Sequence, residues 1–396
     1  MLVVVVKARI LIIVENLPVP FDRRVWAEAT ALKSAGYEVS VICPVGPEKL
    51  SRRETLDGIR ILRHPLPVER AGKFGYALEY GAALMWQSYL VALVWWRQGF
   101  DVIHACNPPD TIFLVALPYK IIGTKFVFDH HDLNPELFEA KFGRRGLLWR
   151  VLVMLERATF WAADISLATN ASYRQIAIQR GRMSPDNVFV VRSGPKIDKV
   201  RPVPTNENWR NGRNHMVAYV GVIGEQEGLD LLLQSIEHLT AVHRRSDVQF
   251  VVVGSGPHLP YIKQLCHTLG LDEFVTFTGR VGDDVLLQIL SSADVCVNPD
   301  RPNALNDKST MNKIMEYMAV GKPIVQYDVT EGRVSAERAS LYATSYADFA
   351  DKIIQLIEDR QLARQMGEYG FARVRSTLSW DNEAPKLLAA YKKLLG

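Results

Sequence analysis

The chain is poor in cysteine. Its four cysteines, Cys43, Cys106, Cys266 and Cys296, stand far apart in 396 residues. That spacing excludes a disulfide framework and a cysteine-based metal site, and a reducing compartment is the simplest setting. The chain also lacks the glycine loops of common nucleotide enzymes. No G-x-G-x-x-G follows its opening strand, and the segment GSGPHL at Gly254 misses the third glycine, so a dinucleotide cofactor is poorly supported. There is no Walker A loop for nucleoside triphosphates and no G-x-S-x-G elbow for serine hydrolysis. Charge of one sign is scarce as well: 47 Lys/Arg stand against 43 Asp/Glu, without the dense basic stripe of a nucleic-acid binder. The small imbalance is uneven. Residues 1–195 hold 24 basic and 18 acidic side chains, and the remainder 23 and 25, so the first half favours anionic ligands or an anionic membrane face.

Long hydrophobic runs are missing too. MLVVVV at the start has no basic flank and is interrupted by Lys7 and Arg9, so it reads as an extension into the first buried strand rather than a signal peptide. Tyr80 to Trp96 is free of formal charge but short for a span, and Gln87 and Ser88 lie inside it. It reads first as a buried helix, and second as a partly exposed helix touching lipid.

What is present is an alternation of apolar strands and helices. It runs from Ala8–Asn16 to about residue 191, pauses over the polar stretch Ser193–Asn214, and restarts at Met216. Strands that are apolar throughout belong in parallel sheets covered on both faces. The expected class is therefore α/β, with two facing doubly wound, Rossmann-like parallel-sheet domains and a cleft between their strand ends. The expected domains are residues 1–195, completed by a helix at about 378–396, and residues 196–377. In such folds ligands bind beyond the carboxyl ends of the strands.

The stretch Ala304–Ala336 is the centre of the second half. Met311, Ile314, Met315, Met318 and Ala319 recur at helical spacing, which predicts a helix over about Ser309–Val320. Asp307 or Ser309 is placed to cap it, and Gly321 ends it. Asn312, Lys313 and Glu316 fall on its other face. Backbone amides, a lysine and a carboxylate within reach of one polyanion suit a phosphate site at a helix N-terminus; the pattern equally suits an ordinary surface helix. Glycines at predicted strand ends, Gly221, Gly224, Gly254 and Gly279, let a backbone approach a ligand closely or turn tightly. In the first half, polar residues sit at strand ends in DHHD, Asp129 to Asp132. Adjacent strand residues point oppositely, so Asp129 pairs with His131 and His130 with Asp132. The run admits a metal cluster, a structural histidine, or a histidine oriented by a carboxylate to touch a sugar or acceptor hydroxyl, with His131 the candidate for that last role.

Together these segments resemble the family 4 glycosyltransferases of GT-B fold. The resemblance runs through NLPVPFDRRVWAEA (Asn16–Ala29), VIHACNPPD (Val102–Asp110), VFDHHDLNPE (Val127–Glu136), VAYVGVIGEQEGLD (Val217–Asp230), TFTGRV (Thr276–Val281) and the stretch Ala304–Ala336. It implies retaining transfer from a UDP- or GDP-linked sugar without a metal. The chain looks most like members that build bacterial surface polysaccharides such as O-antigen, capsule or exopolysaccharide. For those, the implied acceptor is an undecaprenyl-diphosphate-linked saccharide at the inner face of the plasma membrane. Residue by residue, Glu316 matches the acid that holds the nucleotide ribose. The family's other acid falls on Lys308, and its usual arginine and lysine fall on Val222 and Glu227. Diphosphate binding is therefore assigned to Lys308 or Lys313 with the amides of Ser309, Thr310 and Met311. Arg280 is placed near the base or the phosphates, with backbone contacts to the base from Gly279 and Val281; His131 matches the histidine near the transferred sugar, and Asp22 with Arg23 lies in the loop that positions acceptor or pyrophosphate. A GT-B sugar-nucleotide epimerase and a non-catalytic sugar-nucleotide-binding protein are the rival readings.

Overall fold

The structure, a computed structural model, describes residues 8–46, 50–65 and 73–396, with side chains of the first long helix described from residue 81. The MLVVVV opening lies outside the described residues. The chain divides into two compact units, Met1–Ser193 with Glu383–Gly396, and Gly194–Asn382.

The first unit is built on β1 (Arg9–Ile13), β2 (Glu38–Pro44), β3 (Arg53–Leu56), β4 (Ile59–His64), β5 (Val102–Cys106), β6 (Lys125–His130), β7 (Ile165–Ala168) and β8 (Val188–Val190). Their order across the sheet is β3-β4-β2-β1-β5-β6-β7-β8. All neighbours are parallel except β3 and β4, which form an antiparallel hairpin. The chain works outward from β1 to β2 and β4, then returns to place β5 on the other side of β1. That reversal between β1 and β5 opens a crevice at the carboxyl ends of both strands. The long apolar segment is a helix, Lys73–Gln98, and no described helix is long and apolar enough to cross a membrane.

The second unit carries β9 (His215–Val220), β10 (Val248–Val253), β11 (Val275–Gly279), β12 (Val295–Asn298), β13 (Ile324–Tyr327) and β14 (Ser340–Ala343), in the order β11-β10-β9-β12-β13-β14, all parallel. Its switch point lies between β9 and β12. Alternate residues of β9 feed two separate cores. Val217 and Tyr219 pack with the helix Leu229–Ala241 and with Phe349 and Ile353. Met216 and Ala218 pack with Ile314, Met315 and Met318. Two buried faces explain why the central strands are apolar at most positions.

The polar stretch after Ser193 is tied to this second unit rather than hanging free. The amides of Val203 and Asn206 donate to Ser291 Oγ and Ser292 Oγ (3.0 and 2.8 Å), and Arg210 forks onto Asp294 at 2.7 and 3.2 Å.

Candidate functional site

In the second unit the helix of the central stretch spans Asn312–Ala319, three residues shorter at its start than its periodicity suggests. Neither expected cap serves it. Asp307 Oδ1 instead accepts from the amide of Thr330 (2.8 Å), at the start of the helix Thr330–Ala336. Ser309 Oγ donates to Leu305 O (2.8 Å) and its amide to Asn306 O (3.3 Å), so Ser309 belongs to the preceding turn. Met311 stands at the cap position with extended backbone and no side-chain cap. The correction is physical: turn carbonyls and a second helix satisfy these groups before the first helix can use them.

This helix is pinned at the switch point. Tyr317 donates its hydroxyl to Val297 O (3.1 Å) on β12 and accepts from the Val220 amide (2.9 Å) on β9. Burying Ile314, Met315 and Met318 holds it down, each contributing about 1.5–3 kcal/mol. In its first turn, Lys313 Nζ lies 2.9 Å from Asp300 Oδ1, with side-chain exposures of 11% and 2%. The ammonium also sits over the Tyr219 ring, 4.8 Å from its centroid. Burial alone would lower the Lys313 pKa, but Asp300 and Tyr219 raise it above the usual lysine range. Burial pushes Asp300 up, against the pull of Lys313.

The glycines gather here. Gly221, Gly254 and Gly279 follow or end β9, β10 and β11, linked by Gly221 N–H to Val253 O (3.1 Å) and Gly254 N–H to Gly279 O (2.9 Å). A Cβ on Gly254 would fall 1.8 Å from Gly221 O, and one on Gly221 would fall 3.3 Å from Lys313 Cε. Gly224 approaches the Glu227 carboxylate, which burial holds above its usual range. Lys308 is half-buried and donates Nζ to Ala304 O (3.0 Å). Glu316 is half-buried, Val281 packs against the Met216 core, and Arg280 and Val222 are exposed. Thr310 lies between Ser309 and the helix cap and is half-buried.

In the first unit the candidates meet a buried charge network that the sequence reading missed. Arg24, on the helix Arg23–Ser34, forks onto Asp129 at 2.7 and 3.1 Å and donates to Val191 O (2.7 Å) and Ser193 Oγ (3.2 Å). Its Nη2 also lies 3.1 Å from Glu28. His131 Nε2 is 2.5 Å from Asp129 Oδ2 and 3.0 Å from Arg24 Nε, while its amide donates to Asn107 Oδ1 (2.7 Å). His104 reaches Asp129 at 3.4 Å, and its Nδ1 meets the Tyr391 hydroxyl at 2.8 Å. Burial would raise Asp129, yet Arg24 and His131 hold it well below the usual carboxylate range. Burial lifts Glu28 well above that range and lowers His104. Asp129 therefore carries the charge that answers Arg24. Asp110, bonded to Asn107 and Asn134, is pushed up by burial and Glu156 to about 6.

DHHD does not converge on one point. His130 turns away among Phe128, Phe160 and Tyr173, 3.5 Å from Glu156. A guanidinium bonded to both Asp129 oxygens also disfavours a cation there. Asp22 caps its own helix, accepting from the Val25 amide at 3.0 Å. The signal for the network was legible: Glu28 lies in the apolar stripe Val25, Ala29, Leu32, one turn after Arg24.

Two doubly wound parallel sheets, each with charged residues gathered at its switch point, define an α/β protein of the GT-B class. Comparison with known proteins agrees. The model of the glycosyl transferase 4-like domain matches residues 22–194, and that of glycosyl transferases group 1 matches residues 214–359. The chain belongs to the family 4 glycosyltransferases. A GDP-mannose-dependent alpha-(1-6)-phosphatidylinositol monomannoside mannosyltransferase of Mycobacterium tuberculosis is 29% identical over 206 residues, 49% of this chain and 53% of that one. The match thus spans about half the length of that curated relative. Among solved structures, sucrose-phosphate synthase from Thermosynechococcus elongatus superposes with a TM-score of 0.80 over 98% of both chains at 19% identity. Anabaena HepE in complex with UDP-glucose does so at 0.72, over 98% of this chain and 100% of that one, at 16% identity. These likenesses establish the fold.

Proposed function

We propose that this chain is a retaining glycosyltransferase that moves a sugar from a nucleoside diphosphate to a hydroxyl of a lipid-linked saccharide. The donor nucleotide is UDP ahead of GDP, and the acceptor carries an undecaprenyl-diphosphate anchor. The enzyme works in the cytoplasm, peripheral to the inner face of the plasma membrane, in bacterial surface-polysaccharide synthesis. The observation that carries the reading is a buried lysine, Lys313, at an uncapped helix N-terminus beside the glycine strand ends. An oriented dipole and a positive charge beside strand ends that lack side-chain bulk suit a diphosphate.

In this reading Lys313 and Lys308 neutralise the diphosphate, with Thr310 and Met311 amides beside them. Glu316, one turn further, accepts from the ribose hydroxyls. Gly279, Val281 and Arg280 border the base. His131, held by Asp129, bonds the transferred sugar, and Asp22 lies in the acceptor loop. The acceptor oxygen bonds to the anomeric carbon as the bond to the phosphate oxygen breaks. The electron pair leaves with the nucleoside diphosphate, and a phosphate oxygen takes the acceptor proton on the same face. Positive charge at the diphosphate stabilises that departure. The UDP-glucose complex of HepE and the GDP-mannose dependence of the mycobacterial relative support a nucleotide-sugar donor.

The test is Glu316→Ala, with UDP binding by calorimetry and sugar transfer to a lipid-linked acceptor. Loss of a hydrogen-bonding carboxylate predicts roughly tenfold or more weaker UDP binding. Full transfer activity in the variant removes the ribose assignment. An epimerase would consume donor without acceptor, and a binding protein would retain UDP affinity without turnover.

A further inference from the structure

Three helices of the first unit, Lys73–Gln98, Phe113–Ile121 and Leu147–Ala162, pack side by side. Trp95 and Phe100 interlock with Tyr119 at ring distances of 5.5 and 5.1 Å, joining the first two. A helix covering a sheet ordinarily buries an apolar stripe and turns a polar one outward. These helices turn apolar stripes outward as well. On the first, Met85, Tyr89 and Trp96 are exposed at helical spacing, with Trp96 86% exposed. Ile121 closes the second at 85%, and Met154 and Trp161 mark the third, Trp161 at 75%. Apolar surface on this scale, spread over three adjoining helices, marks an interaction face.

Charge says what it meets. Among the side chains of these helices that the structure describes, from residue 81 on, the charged ones are Arg97, Lys120, Arg150, Arg157 and one acid, Glu156. Glu156 is fully buried and bonded to Arg180. Lys120 is paired with Asp164. Arg97, Arg150 and Arg157 are exposed, and Arg144 and Arg145 immediately precede the third helix. The outward face is therefore apolar and cationic. Arg145 is paired with Glu139 at 2.8 Å, but among the described side chains of the three helices no exposed acid stands to answer Arg97, Arg150 and Arg157, so a two-fold contact with a second copy would set these arginines against one another. An anionic bilayer supplies both an apolar layer and phosphate charge, and tryptophan and arginine are the side chains that settle at its headgroup level.

We propose that this three-helix face docks the protein on an anionic lipid bilayer, lying in the headgroup plane without crossing it. The inference rests on the reading that the acceptor is membrane-linked, and it names the surface that brings the enzyme to it.

The experiment is co-sedimentation of the full chain with vesicles of phosphatidylglycerol and phosphatidylcholine in equal parts, and with phosphatidylcholine alone. The expected result is partition into the anionic vesicles. R150Q with R157Q should weaken it about thirtyfold, at roughly a fivefold loss for each cation removed. W96S with W161S should weaken it on both vesicle types. UDP binding and thermal midpoint, measured on the same preparations, should not move, because all four side chains are exposed. Failure of the wild type to partition overturns the proposal, as does partition unchanged in both double variants. A concentration-dependent dimer that W96S with W161S dissolves also overturns it, in favour of a second copy. Vesicle binding with no use of any lipid-linked acceptor would leave the docking face standing and remove the proposed substrate, so the two failures are distinguishable.

Discussion

Lys313→Met tests the heart of the second unit. Methionine keeps the length and helix propensity of the side chain but removes its charge. Asp300, 2% exposed, then loses the ammonium 2.9 Å away. Removing one partner of a buried pair costs about 3–5 kcal/mol when the other remains charged. Asp300 has an escape, which is to take a proton. Its folded pKa is already raised by burial, with Lys313 opposing the rise, so it climbs further in the variant. A carboxyl raised on folding binds more protons in the native state, so its contribution to stability is whole below the unfolded pKa and is lost as pH rises through the folded one. The deficit of Lys313→Met is accordingly about 3 kcal/mol at pH 7 and smaller at pH 5. Lys313 itself, raised above the usual lysine range, contributes fully at both pH values. Adding Asp300→Asn should return most of the loss, because a neutral pair carries no buried charge. Donor binding separates function from stability. A charge-assisted bond to diphosphate is worth about 1.5–3 kcal/mol, and sharing with Asp300 favours the low end, near tenfold in Kd. Asp300→Asn alone frees Lys313 and should hold or tighten UDP affinity. The assays are urea unfolding at the two pH values and calorimetry with UDP. A wild-type Kd in Lys313→Met, or a deficit equal at pH 5 and pH 7, refutes the reasoning.

Other consequences are as direct. Arg24→Met should cost about 3–5 kcal/mol at pH 7 by urea unfolding, since Asp129 is left buried and unanswered. Asp129 is held well below its usual pKa, so its contribution is present above the unfolded carboxylate pKa and lost as pH falls through the folded one; the gap to wild type should narrow as pH falls below the unfolded carboxylate pKa. Gly254→Ala places a Cβ 1.8 Å from a backbone oxygen at φ +139°, and should lower stability by about 2–4 kcal/mol. Gly81→Ala, in a helix with nothing among the described residues within 4 Å, should gain about 0.5–1 kcal/mol by urea unfolding. Asp307→Ala should lose about 1 kcal/mol as a cap of the helix Thr330–Ala336, with Asp307→Asn restoring most of it in the unfolding midpoint.

Most of the alternation of strands with helices was readable because the central strands, such as β1 and β10, are largely apolar along their length, and that follows from burial on both faces. The β3–β4 hairpin was missed although Asp57-Gly58 announces it; both residues take positive φ, 51° and 74°. The short helices Asn134–Phe142 and Thr330–Ala336 were missed as well, since their patterns are too brief to stand out from the loops around them. The glycines were expected to let a backbone approach a ligand or turn tightly; what the structure shows at Gly254 is a close approach to the chain's own backbone, which was not readable. Gly254 meets Gly221, thirty-three positions earlier in the chain.

Local order in the amino-acid string determined the class of fold and the position of most elements, because strand and helix periods are set by neighbours two to four residues apart. Folding in three dimensions decided which charges are partners. Asp307 left the helix beside it for Thr330, and Arg24 crossed 105 residues to reach Asp129. A buried charge must find an opposite charge or a donor wherever the packed chain brings one, and that choice has no signature within a window of sequence.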